Sequence, residues 1–394
     1  MRGAAALPPA PDFLIFLLKA APIMPFFARL VSFAAALLAC TAAAHAAPVA
    51  DAATLAAVKA CAPARPCAAK LPVRVVVVTM FEIGKDSGDK PGEFQLWKER
   101  RNLTETLPFP QGWHDLAYDP QCGVLAIVTG MGSIKSATAA LALGLDERLD
   151  LSKAYWLVAG IAGIDPEDAS VGSAAWARYL IDGDIAHEID AREIPKDWKS
   201  GYFALHSKGP QDPTPLDPVN GEMFELNPAL QDWAFALTKD IALPDDPRIA
   251  EARAHFTGYP NAQKPPFVLK GDNLAAMTFW HGAKMTQWAN DWTKFWTRGK
   301  GAFVTSAMEE TGTFQSIEYL TKVGRADRDR VLVLRAGSNF TMPPPGVDAA
   351  TYLLSENQGY AGMTAALESL YTVGGKVVDE IVTHWDRFGP APPK

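Results

Sequence analysis

Cysteine is scarce in this sequence: Cys40, Cys61, Cys67 and Cys122 are the only four, and no two stand in a Cys-x-x-Cys spacing. Histidine is nearly as rare, with seven residues and no His-x-x-x-His pair. A structural zinc site therefore has no support, and neither metal nor cofactor is expected. Positive charge is also short, with 37 Lys and Arg against 44 Asp and Glu and a formal charge of −7. That removes the electrostatic footing for nucleic acid or an anionic membrane surface as partner. Beyond the first residues, no segment offers the roughly 18 consecutive apolar residues of a membrane-spanning helix. The longest candidate, Ala154 to Ile164, is shorter and holds two glycines. Such a chain does not by itself make a helical transporter.

What is present is ordinary globular material. The 394 residues are 48% hydrophobic and 21% charged, enough for a full core in one domain with insertions. The N-terminus reads as a leader. Met24-Pro-Phe-Phe-Ala-Arg29 is followed by an apolar run from Leu30 to Ala39 and then by Ala44-His45-Ala46. A basic start, a short apolar stretch and an A-x-A site together specify export. Residues 1–23 lie upstream of this pattern and read as an over-called translation start. The alternative is a lipobox at Leu37-Leu38-Ala39-Cys40, which would tether the protein through Cys40. Cys61 and Cys67, in Cys-Ala-Pro-Ala-Arg-Pro-Cys, suit a short disulfide staple in an oxidising compartment. Cys122 reads as a bystander in the core.

After an Ala/Pro-rich linker at 47–72, Val73 to Val78 is a β-branched run of the kind that forms a strand buried on both faces. It ends in Thr79-Met80-Phe81-Glu82-Ile83-Gly84. Trp97 to Trp113 reads as irregular structure or an edge hairpin. Val124 to Val128 is the next core strand, followed by Thr129-Gly130-Met131-Gly132-Ser133 and a helix from Ile134 to Leu145. Strand, glycine turn and helix in that order point backbone N–H groups at an anion or a hydroxyl-rich ligand. Tyr155 to Ala159 is a third core strand, ending in Gly160-Ile161-Ala162-Gly163, and Ala174 to Ile181 is a fourth.

Residues 183–270 carry many prolines and helical pieces near 228–240 and 248–254, and read as an insertion or lid over the carboxyl edge of the sheet. Asp184 and His187 at its entrance either reach the site or cap a turn. From Lys284 a helix carries Met285, Trp288, Trp292, Phe295 and Trp296, a stripe read as core rather than pocket. The pair Glu309-Glu310 follows a short β-prone run. The strand Val331 to Leu334 then opens into Arg335-Ala-Gly-Ser338-Asn339. Ligands collect outside the carboxyl ends of strands in open α/β sheets, so these polar groups are candidate contacts. A final helix runs from Ala361 to Leu370 and resumes from Val377 to Thr383.

Met308-Glu309-Glu310-Thr311 and Arg335-Ala-Gly-Ser338-Asn339, with the short motifs at 129–132, 160–163 and 271–273, resemble motifs of the nucleoside phosphorylase/nucleosidase superfamily. From about Val73 to Thr383 the chain resembles a purine nucleoside permease, a divergent branch of it. The resemblance implies an α/β fold: one nucleoside-phosphorylase-like domain over 73–389, with a mixed, mostly parallel sheet flanked by helices. It implies a purine nucleoside as ligand. Glu309 would accept from the 2′ and 3′ hydroxyls of ribose, with Met308 on the sugar face. Gly130, Met131, Gly132 and Gly160 would lie at the phosphate and ribose site. Phe279, Trp280 and His281, after Phe267 to Asn273, would address the base, where stacking is worth ~1–3 kcal/mol. Ser338 and Asn339 would read the purine. Glu82 is either a site residue or an exposed loop carboxylate, and Glu310 a further site carboxylate or a charge favoured by the helix dipole.

Two departures bear on the chemistry. Phosphorylases of this superfamily place an Arg before, and a Ser inside, the motif that here reads Ala159-Gly160-Ile161. A phosphate dianion needs charge-assisted or convergent donors, so phosphorolysis is disfavoured. The nucleosidase branch has an Asp where Asn339 stands. Asn donates and accepts hydrogen bonds but transfers no proton. The 6-oxopurine phosphorylases of the superfamily are similar in having Asn there, so the resemblance implies inosine- or guanosine-like bases for Asn339, with Asp272, His281 or water left to handle protons. Three readings follow: an exported nucleoside-binding protein that cleaves the N-glycosidic bond, a non-catalytic component serving a separate membrane transporter, and a phosphorylase. The superfamily forms dimers, trimers or hexamers, so a homo-oligomer is among the expectations.

Overall fold

A computed structural model of the protein describes residues 48–394 apart from Ala64, Gln211, Asn357 and Gln358. The segment expected as a leader, its expected cleavage site and Cys40 lie outside the described residues.

The Val75–Thr79 strand is buried along its whole length. It pairs in parallel with Val124–Val128 on one side and Tyr155–Ile164 on the other. β-Branched residues in alternation feed two separate layers. Val76, Val78, Leu125, Trp156 and Val333 pack under the helices Ser133–Gly144 and Glu310–Lys322, through Leu143, Phe314 and Leu320. Val75, Val77, Ala126, Leu157 and Leu334 face the long helix Met363–Thr383, through Leu370, Val373 and Val377. The result is a mixed α/β domain with helices on both faces of one sheet. Its strands run in the order Met223–Glu225, Tyr179–Asp182, Asp272–Ala275, Phe303–Ala307, Tyr155–Ile164, Val75–Thr79, Val124–Val128, Leu116–Asp119, Glu105–Leu107.

The strands that build the site run longer than their apolar cores suggest. Tyr155–Ile164 continues past Ala159, and Val331–Phe340 continues past Leu334. Each is the other's parallel partner, with Arg335 opposite Gly160 and a register shift at Ser338 before Asn339 meets Gly163. The segment 160–163, expected as a loop at the strand's end, is therefore strand. The expected single strand Ala174 to Ile181 is two. Ala174–Trp176 pairs with Val268–Lys270 and Val331–Phe340, whereas Tyr179–Asp182 pairs with Asp272–Ala275 and Met223–Glu225. The last helix is one piece through Gly374 and Gly375. A Cβ at Gly374 would stand 3.1 Å from both Leu157 and Trp97, so a residue without a side chain lets the helix lie close to the sheet.

The region 95–113 contains the short helix Gln95–Arg100 and one arm of an edge hairpin, Glu105–Leu107 with Leu116–Asp119. The insertion is woven into the domain: Met223–Glu225 extends the sheet, and Leu230 and Ala234 of the helix Pro228–Thr238 join the core against Met363–Thr383. Trp288, Trp292 and Trp296 are buried with Leu274 and Phe303, as a core stripe should be. Cys61 and Cys67 form a disulfide, with Cα atoms 5.8 Å apart. Cys122 is buried, and none of the described cysteines is a free thiol, so the reading of Cys122 as an inert bystander does not hold. Among the described residues, no helix is long and apolar enough to cross a membrane.

Two helices that begin at the cavity, Ser133–Gly144 and Glu310–Lys322, meet with almost no space between them. A Cβ on Gly312 would lie 2.5 Å from the Ser133 carbonyl oxygen, and Ser316 Oγ donates to the Ala137 carbonyl at 2.7 Å. Gly312→Val must push these helices apart. It should cost about 2 kcal/mol, typical of overpacking, and lower the Tm measured by differential scanning calorimetry.

Candidate functional site

A cavity of about 260 Å³ opens where the late residues of four strands converge. Val75–Thr79 leads into Met80 and Phe81, Tyr155–Ile164 contributes Ile161 to Gly163, Phe303–Ala307 leads into Met308 and Glu309, and Val331–Phe340 contributes Arg335, Ser338 and Asn339. The rest of the wall is formed by Met131, Phe279, Tyr360, Met363 and Ala307, together with the polar Glu93 and Ser306. It is a small-molecule site at the lower end of ligand-pocket size.

The polar centre is built on Arg335, whose side chain is 2% exposed. Its Nη2 donates to Glu309 Oε2 at 2.9 Å, its Nε to Glu310 Oε1, and its Nη1 to the Ile161 carbonyl at 3.0 Å, with Glu93 Oε1 at 4.0 Å. Desolvation works against the charge on Arg335, but Glu310, Glu309 and Glu93 outweigh it and keep the guanidinium protonated. Gly160 makes this packing possible, since a Cβ there would sit 2.1 Å from Arg335 Nη1.

Glu309 stands just before the Glu310–Lys322 helix. Its Oε1 accepts from the Gly132 N–H at 2.9 Å, and its Oε2 from Met308 N–H at 3.3 Å. Gly132 has φ of 92°, a left-handed value suited to glycine, and this turn aims its N–H at the carboxylate. The strand–glycine–helix unit thus presents its donor to a fixed side chain. Glu310 is fully buried against Arg335 and is not a solvent-facing charge of the helix start; burial raises its carboxyl above the usual range while Arg335 opposes the shift.

Glu93 is a site residue that sequence reasoning did not find. Its Oε2 accepts from Met80 N–H and its Oε1 from Ile161 N–H, both at 2.7 Å. Burial pushes its carboxyl up to about 8, with Arg335 opposing and Glu309 reinforcing the shift. Glu82, expected either in the site or exposed, is neither a lining residue nor free in solvent. Its carboxylate accepts from the N–H groups of Ile83, Gly92, Phe94 and Gln95. Three of these bracket Glu93, so Glu82 fixes the backbone that carries it. No motif marked Glu93; the signal available was a second carboxylate in the loop after the Val75–Thr79 strand.

Of the other expected residues, Met131, Phe279, Met308, Glu309, Ser338 and Asn339 line the cavity. Phe279 is 47% exposed and its ring lies parallel to Tyr360, with centroids 6.3 Å apart. Asn339 Oδ1 accepts from Ser338 Oγ at 2.9 Å, and its Nδ2 donates to the Phe340 carbonyl at 3.3 Å. Gly130, Gly132 and Gly160 shape the wall without lining it. Trp280 lines a small adjoining recess with Gly163 and Asn339, and packs on Trp288 and Phe303.

Two expected residues sit elsewhere. His281 stacks on Tyr352, and burial lowers its imidazole to about 4, so it is neutral and away from the lining. Asp272 opens its strand at the end remote from the cavity. It accepts from the N–H groups of Arg178, Tyr179 and Ala302, at 3.1, 2.7 and 2.7 Å, which ties three segments together. Burial raises it to about 6, but these roles are structural. No described residue of 183–270 lines the cavity, so the described part of the insertion does not form its lid. Asp184 braces the loop before Phe279 by accepting from Met277 N–H at 2.8 Å, and His187 is exposed against Phe203.

Fold and cavity together define a helix-flanked α/β domain with a cavity at its strand ends, walled by an anionic cluster and an aromatic rim. The family described as purine nucleoside permease (NUP) matches residues 72–391, and the chain belongs to that family. It is 28% identical over 325 residues to the "Purine nucleoside permease" of Candida albicans, spanning 80% of this chain and 76% of that protein. It is 27% identical over 272 residues to a Schizosaccharomyces pombe protein named "Probable purine nucleoside permease", spanning 67% and 77% respectively. Among solved structures, the 5′-methylthioadenosine/S-adenosylhomocysteine nucleosidase of Neisseria meningitidis aligns over 78% of this chain and 99% of its own, with 14% identity and a TM-score of 0.45.

The buried Glu93 sets a pH dependence of stability. Its ordinary value is 4.5 and its folded value about 8. Between these limits the folded chain holds a proton that the unfolded chain has released, so this contribution is complete below about 4.5 and is lost as pH rises through 8. Glu93→Gln should therefore flatten the fall in urea-unfolding free energy measured between those pH values.

Proposed function

We propose that this protein binds purine nucleosides in the cavity and hydrolyses their N-glycosidic bond with water as nucleophile. The observation that carries this reading is the pairing of Arg335 with Glu309 and Glu310, beside Glu93. It is the one cationic side chain lining the cavity among the described residues, and its charge is already committed. A phosphate dianion would meet carboxylates instead of free donors, and Ala159 and Ile161 supply no side-chain donor beside it.

Water fits the same groups. Glu93 and Glu309 offer two acceptors around one region of the cavity, and Glu93 can take a proton from a water placed there. Glu309 keeps acceptor capacity for the vicinal hydroxyls of ribose, since each carboxylate oxygen has two lone pairs. The same carboxylates would stabilise positive charge that develops on the sugar as the bond breaks. At the other end, the Asn339 amide would hydrogen-bond a 6-oxopurine, with Phe279 and Tyr360 on the base side. The chain is exported in this proposal, a reading supported by the leader pattern and by the Cys61–Cys67 disulfide. It would release free base for uptake by a separate membrane transporter. One observation favours a capture role without turnover: Asn339 stands where a proton donor would be needed.

The test is incubation of the mature protein with inosine, guanosine and adenosine, with and without phosphate, and chromatography of base, ribose and ribose 1-phosphate. The expected outcome is base and free ribose without phosphate, with kcat/KM rising towards a limb near pH 8 set by Glu93. Glu93→Gln and Glu309→Ala should each lower kcat/KM about 100-fold. Strict phosphate dependence would overturn the hydrolytic reading. Tight nucleoside binding by calorimetry without turnover would replace it with capture.

A further inference from the structure

We propose that the cavity selects purine nucleosides whose base already carries a positive charge, of which an N7-alkylated guanosine is the simplest. This rests on the hydrolytic reading and names the substrate class of that site.

Two separate features of the cavity lead there. The first is its charge. Three carboxylates, Glu93, Glu309 and Glu310, converge on the single guanidinium of Arg335, and all four side chains are at most 5% exposed. No Lys, no His and no second Arg lines the cavity among the described residues. Three carboxylates thus face one guanidinium, an excess of acidic over basic groups. In a poorly solvated site, such an imbalance acts more strongly on a ligand than it would in water. It attracts a cation and repels a nucleotide.

The second feature is the absence of an acid at the leaving-group end. Asn339 and Ser338 are bonded to each other there, and neither transfers a proton at neutral pH. Asp272 is held by three backbone N–H groups at the far end of its strand, and His281 stacks on Tyr352 outside the lining. Glu93 and Glu309 belong to the Arg335 cluster, which serves the sugar and the water.

The electron count then separates two kinds of substrate. When the C1′–N9 bond breaks, its electron pair enters the imidazole ring of the base. From a neutral purine this produces an anion that needs a proton to leave well. From an N7-alkylated purine, the pair cancels the existing positive charge and a neutral base departs without an acid. In both cases the water oxygen bonds to C1′, and its proton passes to Glu93 and then to solvent. The cavity supplies what the second case needs and lacks what the first one needs.

The experiment compares guanosine with 7-methylguanosine on the wild-type protein at one neutral pH, with enzyme-free hydrolysis subtracted and base release followed by chromatography. The expected kcat/KM is about 100-fold higher for 7-methylguanosine, the size of a missing general acid. Calorimetry should also show tighter binding of the cation. Asn339→Asp should narrow the gap by raising guanosine turnover, because it restores a proton donor. Guanosine cleaved as efficiently as 7-methylguanosine would overturn this inference and leave the hydrolytic reading standing. Release of base from neither nucleoside would overturn both.

Discussion

A guanidinium buried among three carboxylates is the constraint around which this domain is arranged. Taking such groups out of water costs several kcal/mol per ion, and only close pairing offsets it. Arg335 is therefore not a surface feature that the fold happens to carry. Its partners come from three distant parts of the chain: Glu93 from the loop after the first core strand, Glu309 and Glu310 from a helix start, and the Ile161 carbonyl from the neighbouring strand. Each has to arrive together with the others, because any one left alone would be an uncompensated buried charge. The same cluster that holds these segments together also forms part of the polar wall of the cavity, through Glu93, Glu309 and Arg335.

Close packing around the cluster depends on residues that lack side chains. Gly160 leaves room for the guanidinium, Gly312 lets two helices touch at their first turns, and Gly132 turns a backbone N–H onto Glu309. Glu82 works at one remove: by accepting N–H groups on both sides of Glu93, it holds the loop at the distance Glu93 needs to reach Met80 and Ile161. Rigid positioning of this kind suits a site meant to stabilise charge, since groups already oriented need not reorganise when a ligand binds.

Much of the architecture was legible along the chain. The runs Val75–Thr79 and Val124–Val128, the stripe Trp288, Trp292 and Trp296, and the Met308 segment all carry local patterns that report burial or strand ends. Less visible were features created by a partner. The second half of Tyr155–Ile164 contains two glycines and alanines with no strand periodicity of their own; it is strand because Val331–Phe340 lies beside it. Asp272 and His281 sit in promising motifs, yet one ties three chain segments together and the other is shut away against Tyr352.

The amino-acid order by itself determined the α/β class, the central strands, the family, and the placing of Met308, Glu309, Ser338 and Asn339 at strand and helix boundaries, because hydrophobic periodicity and turn residues act over a few positions. Only the tertiary structure decided that Glu93 belongs to the site, that Glu82 supports it, and that Arg335 is spent on carboxylates instead of facing a ligand freely. Those outcomes depend on where loops return to the sheet and on which charges are desolvated together, and neither is written in the spacing of residues along one segment.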